Sequence, residues 1–310
     1  MRAIVTGGAG FIGSHVVDAL VARGDDVIVL DDLSTGRPER VNAAARFIEA
    51  DIRDADSVET AFEDARPEAC FHLAAQADVR VSVDDPGRDC EVNVVGTIRI
   101  LEAARRHAAQ VVFSSTGGAI YGECEEPAPE SAPRRPISPY GASKLAAEEY
   151  LATYNRLYAA SHVSLRYGNV YGPRQDPHGE AGVVAIFLGR LARGEPARIY
   201  GDGRQTRDYV YVGDVVTATL ASLGRPGGVF NVGTGRETSV LELAAACGRV
   251  TGVELDAVFA PVRVGELQRS VLDPALAQHT LRFRAATGLE TGLAQTWGWL
   301  REGDGRGTAN

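Results

Sequence analysis

Hydrophobic residues along the first half of the chain follow two alternating rhythms. Short β-branched runs fall at residues 3–6, 26–30, 45–49, 69–73, 110–114 and 163–166. Between them lie segments of helical period, most clearly 11–23, 86–107 and 139–159. Short unbroken apolar runs predict strands buried on both faces, and apolar positions recurring every three to four residues predict helices. Strand and helix alternating from the first residue predict an α/β fold, a Rossmann-type doubly wound parallel sheet with helices on both sides. The five prolines from Pro127 to Pro139 predict a loop. Beyond Tyr171 glycine and proline thicken and the elements shorten, with helices expected near 183–193, 212–223, 240–251 and 291–300. This pattern divides the chain into a first α/β domain over 1–168 and a smaller α/β domain, mainly 169–310. The 205–225 segment is expected to return to the first domain. Residues after 301 carry no apolar anchor and are expected to fray.

The first strand runs into Thr6-Gly7-Gly8-Ala9-Gly10-Phe11-Ile12-Gly13, where Gly7, Gly10 and Gly13 give the spacing GxxGxxG. Missing side chains at such positions let the turn tighten, let backbone approach a pyrophosphate and let helix pack on strand. The helix N-terminus then offers free N–H groups and partial positive charge to phosphate. Asp31, at the end of the second strand, can accept both ribose hydroxyls of an adenosine and repels a 2′-phosphate, which favours NAD over NADP. Its neighbour Asp32 better suits a helix or turn cap, and Arg37 is a guanidinium that could accommodate a 2′-phosphate.

Tyr140 and Lys144 stand four apart at the start of a helix and so share a face. A free phenol titrates near 10 and is a poor base at neutral pH. A neighbouring ammonium and a positive nicotinamide ring would favour the phenolate, so Tyr140 could exchange a proton while hydride moves.

Composition narrows the partners. With 45% hydrophobic and 24% charged residues the chain is an ordinary globular sequence, and 32 Lys+Arg against 41 Asp+Glu leave it at −9. That balance argues against nucleic acid or an anionic membrane surface, so an anionic ligand needs a local cluster of donors. No stretch approaches the length of a membrane span, and Met1-Arg2 leads straight into the first strand, so no signal peptide is expected. Cys70, Cys90, Cys124 and Cys247 stand far apart, His178 has no partner at ligand spacing, and neither a disulfide framework nor a metal is expected. A reduced, cytoplasmic setting fits.

Taken together the motifs resemble the extended short-chain dehydrogenases/reductases that act on nucleotide sugars, most closely UDP-glucose 4-epimerases. The likeness covers about residues 1–300 and rests on 7–13, Asp51-Ile52, His72 to Ala75, Asn93, 113–116, Tyr121-Gly122, 138–140, Lys144, 166–174 and 201–210. It implies tightly bound NAD held by Gly7, Gly10, Phe11, Ile12, Gly13, Asp31, Asp32, Asp51, Ile52, Leu73, Ala74, Ala75, Asn93, Ser114, Tyr140 and Lys144. A hydroxyl bridging the sugar to Tyr140 matches Thr116, although counting back from Tyr121 lands on Gly117. Dehydratase and decarboxylase relatives carry a carboxyl group in this loop, where this chain has Gly117-Gly118-Ala119, so reversible C4 epimerisation is the reaction implied. UDP-sugar contacts are implied for Asn169, Tyr200, Arg207, Arg263 and Glu266, and the small Ser270 implies room for an acetamido group at the sugar's C2. Arg80 keeps a UDP-glucuronate or another UDP- or dTDP-sugar epimerase open. A homodimer through the helices at 86–107 and 139–159 is implied as well. The rival of a different kind is a non-catalytic Rossmann protein that senses its NAD.

Overall fold

The structure is a computed structural model and describes residues 1–176, 182–254, 256–262 and 267–303. Seven parallel strands form its central sheet. Six are β1 (Arg2–Thr6), β2 (Asp26–Asp31), β3 (Arg46–Glu49), β4 (Ala69–His72), β5 (Gln110–Thr116) and β6 (Val163–Tyr167), and the seventh is Gly228–Val232. Their spatial order is Gly228–Val232, β6, β5, β4, β1, β2, β3, with every neighbouring pair parallel. A sheet covered on both faces has no wet side, which is why these strands read as unbroken apolar runs. Helix α1 (Phe11–Ala22) and the helix Val212–Ala221 cover one face, where Val16, Leu20, Val215 and Ala218 share a core with β1 and β6. The helices Ala55–Ala65, Thr97–His107 and Pro139–Tyr158 cover the other through Phe62, Ile100, Leu101, Ala147 and Leu151. A separate core of Tyr171, Phe187, Leu188, Leu243, Cys247 and Leu293 gathers the later helices.

Strand order reverses between β1 and β4, and both strands end at the same edge of the molecule. Connections that leave such a pair in opposite directions open a crevice beyond the strand ends, where ligands bind in open parallel sheets.

The structure departs from the sequence reading at several elements, among them the helix Ala55–Ala65 and the strands Ala197–Tyr200 and Ala257–Ala260, which were not expected. The expected helix over 86–107 is interrupted: a π-helical turn, Glu91–Gly96, separates Pro86–Cys90 from Thr97–His107. Thr97 Oγ1 donates to the Asn93 carbonyl at 2.6 Å inside this turn. Asn93 is meanwhile pulled toward residue 76, so the wide turn is where a side chain must leave the helix for the site. The strand Gly228–Val232 hides in the sequence because it follows Pro226-Gly227 and carries a fully buried Asn231. Residues 117–120 form a single helical turn where only a loop was expected. The tail from 304 onward lies outside the described residues.

Candidate active site

The turn after β1 is shaped by backbone contact. Gly7 has φ +69° and donates its N–H to the Leu30 carbonyl at 2.8 Å. A β-carbon at Gly7 would stand 2.6 Å from Ala74 N, and one at Gly13 only 2.0 Å from the Gly7 carbonyl oxygen. Both positions therefore require glycine, one to pass the β4 loop and one to seat α1 on the turn. Gly10 is the N-cap of α1 and offers no side chain to the first-turn N–H groups. Gly7, Gly10, Phe11, Ile12 and Gly13 all line the main cleft; the Gly7 and Gly10 amides are bonded within the turn, which leaves the first-turn amides of α1 at Phe11, Ile12 and Gly13 as the donors available to an anion there.

Asp31 is 6% exposed and fixed by N–H donation from Ala9 to Oδ2 and from Leu33 to Oδ1, both at 2.9 Å. Burial pushes its carboxyl above the ordinary range, and these two amides pull the other way. Asp32 is exposed and caps a turn, accepting from Ser34 N at 3.0 Å and from the Ser34 hydroxyl. Arg37 pairs with Asp176 at 3.0 Å. Further along the cleft, Asp51 is held by Arg53, whose guanidinium keeps its carboxyl below the usual range, and Ile52 lies beside it. Leu73, Ala74 and Ala75 form the opposite wall. This set fits a dinucleotide: uncapped amides for the phosphates, a rigid carboxylate for a ribose and apolar walls for the rings.

Asn93 does not line the cleft. It stands behind the wall with both ends of its amide engaged: Oδ1 accepts from Gln76 N at 2.9 Å, while Nδ2 faces the Gln76 carbonyl, Asp89 and Ser143. These bonds tie Asn93 to residue 76 of the loop after β4, so its amide is engaged within the protein. Beside it, buried His72 bridges Thr6 and Thr97 at 2.7 and 3.0 Å, and burial together with Lys144 pushes its imidazole down to about 3.

The helix Pro139–Tyr158 begins at the floor of the cleft, with Ser138 Oγ accepting from Gly141 N at 3.2 Å and Pro139 in its first turn. Its first turns present Tyr140 and Lys144 to the end of β5, where Ser114, Ser115 and Thr116 line the same cavity. Thr116 stands beside Tyr140 and draws its phenol down, whereas position 117 is a glycine with no hydroxyl to offer. Burial pushes the Tyr140 phenol up to about 12, the Thr116 hydrogen bond draws it down, and Asp89 pushes it up further. Lys144 is 3% exposed, sits over the Phe113 ring at 4.4 Å, and is driven by burial down to about 7, against the pull of Asp89 and Glu148. The ammonium and the positive nicotinamide ring together were expected to favour the phenolate. In the protein the lysine is itself a strained cation, so a further positive charge at the cleft is needed to favour the phenolate.

The expected sugar-nucleotide residues divide. Asn169 lines a second cavity together with Phe11, Ile12 and Tyr140, directly beyond the tyrosine. Gly118 faces the same gap, since a β-carbon there would meet Asn169 Oδ1 at 3.5 Å and Thr116 Oγ1 at 4.0 Å. Arg207 lies on the short strand Thr206–Arg207, paired in register with Ser270, and its guanidinium donates to the Thr206 carbonyl at 2.8 Å. Tyr200 ends the strand Ala197–Tyr200, its carbonyl accepting from Gln205 at 2.9 Å. Neither Arg207, Tyr200 nor Ser270 lines the two cavities. Arg80 is exposed on the helix Val79–Asp84 outside both, whereas Arg88, which the sequence reading passed over, lines the main cleft. Arg263, Glu266 and His178 lie outside the described residues.

The reading also missed the buried acids behind the site. Asp89 is 1% exposed and Glu148 2% exposed, and Glu148 is ion-paired to Arg166 at 2.6 Å. A signal for Glu148 was present, since it follows Lys144 by one more helical turn on the same face.

Fold and site together define a dinucleotide-binding enzyme scaffold of the tyrosine–lysine type. The chain belongs to the NAD dependent epimerase/dehydratase family, whose model matches residues 3–233. It is 48% identical over 310 residues to the UDP-glucose 4-epimerase of Mycolicibacterium smegmatis, covering 97% of this chain and 99% of that one. Among solved structures it is similar to the UDP-glucose 4-epimerase of Thermotoga maritima with UDP-glucose, at TM-score 0.96 and 48% identity, covering 98% and 99% of the two chains. It is also similar to the Thermus thermophilus UDP-glucose 4-epimerase in complex with NAD, at TM-score 0.93 and 49% identity, covering 97% and 99%.

Proposed function

We propose that this chain is an NAD-dependent isomerase that reversibly inverts C4 of a UDP-hexose, interconverting UDP-glucose and UDP-galactose. The observation that carries the reading is the Thr116–Tyr140–Lys144 cluster at the mouth of the switch-point crevice, next to a dinucleotide turn. The relatives solved with UDP-glucose and with NAD support both ligands.

Bound NAD supplies a hydride acceptor that can return what it takes. Tyr140, linked to Thr116, removes the proton from the sugar's 4-hydroxyl and restores it afterwards. Lys144 holds the nicotinamide ribose and stabilises the phenolate by its charge. Asp31 accepts from the adenosine ribose, the first amides of α1 hold the cofactor phosphates, and Ile52 and Leu73 to Ala75 shield the rings. Asn169 and Arg207 are assigned to the substrate diphosphate, Arg263 and Glu266 to the nucleotide, and Tyr200 to the base. The next positions after Thr116 are Gly117, Gly118 and Ala119, and a side chain at 117 would collide with Leu272 at 2.6 Å. The loop thus offers no second acid for elimination, which favours epimerisation over dehydration.

In this reading residues 1–168 carry the cofactor and 169–310 mainly the substrate. Support for 205–225 returning comes from the helix Val212–Ala221 packing on α1. A homodimer is proposed through the helices over 86–107 and 139–158, where Val95, Tyr150, Leu157 and Tyr158 are exposed. The setting proposed is the cytoplasm, where the free Cys70 and Cys247, both buried, stay reduced. Among the described residues no helix is long and apolar enough to cross a membrane.

A panel of UDP- and dTDP-sugars, read by separating C4 epimers, tests the reading. Conversion of UDP-glucose is expected, and conversion of UDP-N-acetylglucosamine beside it, because Ser270 is small. Ser270→Tyr should suppress the N-acetyl substrate selectively. Brisk turnover of UDP-glucose with none of UDP-N-acetylglucosamine would overturn the Ser270 assignment.

A further inference from the structure

Glu148 lies on the helix Pro139–Tyr158 at the next turn after Lys144 and is 2% exposed. Its Oε1 accepts from the Ser115 hydroxyl and from Arg166 Nε at 2.9 Å, and its Oε2 from Arg166 Nη2 at 2.6 Å. Arg166, on β6 and equally buried, donates from Nη1 to the Tyr121 hydroxyl at 2.7 Å, which donates to Asn231 Oδ1 at 2.8 Å. Asn231 Nδ2 in turn holds the Ala128 and Asp273 carbonyls at 2.9 and 3.1 Å. The chain of bonds therefore runs from the catalytic helix, through Arg166 of β6, Tyr121 and Asn231, to the segment that follows the Arg269–Ser270 strand, while Ser115 of β5 is tied to it at Glu148.

We propose that Glu148 is a positioning residue for the Tyr140–Lys144 pair: its carboxylate ties the end of β5 to the catalytic helix and supplies a negative charge that the Lys144 ammonium faces. The inference rests on the roles given above to Tyr140 and Lys144. A buried ion pair contributes little net stability against an apolar pair of the same size, so its presence here asks for another reason. The geometry offers two. Ser115 precedes Thr116, so anchoring its hydroxyl fixes the strand end that aims Thr116 at Tyr140. The carboxylate also stands on the same helix face as Lys144, whose cation needs a counter-charge in a buried site. The groups facing Lys144 are Asp89 from the helix Pro86–Cys90, His72 from β4, the Phe113 ring from β5, and Tyr140 and Glu148 from its own helix. His72 is neutral, which leaves Asp89 and Glu148 as the opposing charges.

The sign of the effect follows. Activity needs Lys144 protonated, and a negative charge nearby favours that form. Glu148→Gln removes the charge and leaves the Arg166 cation uncompensated, and both changes favour neutral lysine. The alkaline limb of the kcat–pH profile should therefore move to lower pH by about two units, the scale of a unit charge one helical turn (about 6 Å) away at an effective dielectric near 20. Glu148→Asp retains the charge on a shorter arm and should restore the limb while leaving kcat below wild type. Should the unpaired Arg166 prevent Glu148→Gln from folding, the double variant Glu148→Gln/Arg166→Gln removes both charges and should still shift the limb downward, by less. A limb unmoved in the soluble variants, whatever the fall in kcat, would show that Glu148 serves packing alone. Tyr140→Phe keeps the two readings apart. If it abolishes turnover while the Glu148 variants leave the profile unmoved, the inference fails and the proposed function stands; if it leaves turnover intact, the catalytic assignment fails.

Discussion

Tyr140 carries the heaviest demand of any single residue. Its phenol is pushed up to about 12 in the protein, so on its own it would not act as a base near neutrality. What makes it usable is the surrounding charge and the Thr116 hydroxyl, both of which act on the oxygen alone. Tyr140→Phe should therefore lower kcat by roughly 10²–10⁴-fold, with UDP binding by calorimetry nearly unchanged. Less than a tenfold loss would remove Tyr140 from its role. At this scale the sequence was informative where chemistry depends on spacing, as with Tyr140, Lys144 and the three glycines. It was uninformative where a side chain acts from behind. Asn93 looks like a ligand-binding asparagine in sequence, yet its amide is consumed by Gln76, Asp89 and Ser143. Arg80 and Arg88 differ by two turns of chain, and only the fold decides that Arg88 faces the cleft.

Among elements, the turn from β1 into α1 tolerates least change. A methyl group at Gly13 would stand 2.0 Å from the Gly7 carbonyl, with backbone on both sides and no flexible side chain to yield. Gly13→Ala should destabilise the fold by about 1–3 kcal/mol and strip NAD during purification, read by thermal unfolding and by absorbance of the released cofactor. Retention of NAD with an unchanged melting temperature would show that the turn relaxes. The helix Pro139–Tyr158 has a second exposed side, on which Tyr150, Leu157 and Tyr158 remain 41%, 67% and 50% exposed. On the proposed homodimer, Leu157→Asp should move the light-scattering mass at micromolar concentration from two chains to one, and wild-type protein that scatters as a single chain would set the proposed dimer aside. An unchanged dimer would place the interface elsewhere. The parallel strands and the helices at 183–193 and 240–251 were legible because periodicity and length agree there. Gly228–Val232 was not, because its stability comes from pairing with β6 and from the Asn231 network. The π-turn at Glu91–Gly96 likewise depends on contacts far away in sequence.

Across the whole molecule, an acidic chain of net charge −9 holds an anionic ligand only by concentrating its donors. The uncapped start of α1 faces one end of the crevice, and Asn169 lies beyond Tyr140 at the other. Thr116, Tyr140 and Lys144 sit between them, where a cofactor and a sugar would meet. Epimerisation returns each hydride it removes, so no external oxidant is consumed and the enzyme should work with the NAD it carries. The direct measurement is incubation of the purified protein with UDP-glucose and no added cofactor, following UDP-galactose by chromatography with Tyr140→Phe in parallel. UDP-galactose should accumulate to a constant ratio, the same ratio should be reached from UDP-galactose, and the variant should stay inert. NAD-loaded wild-type protein that forms no UDP-galactose would rule out C4 epimerisation by this chain, and a Tyr140→Phe protein that forms it as fast would remove Tyr140 from catalysis.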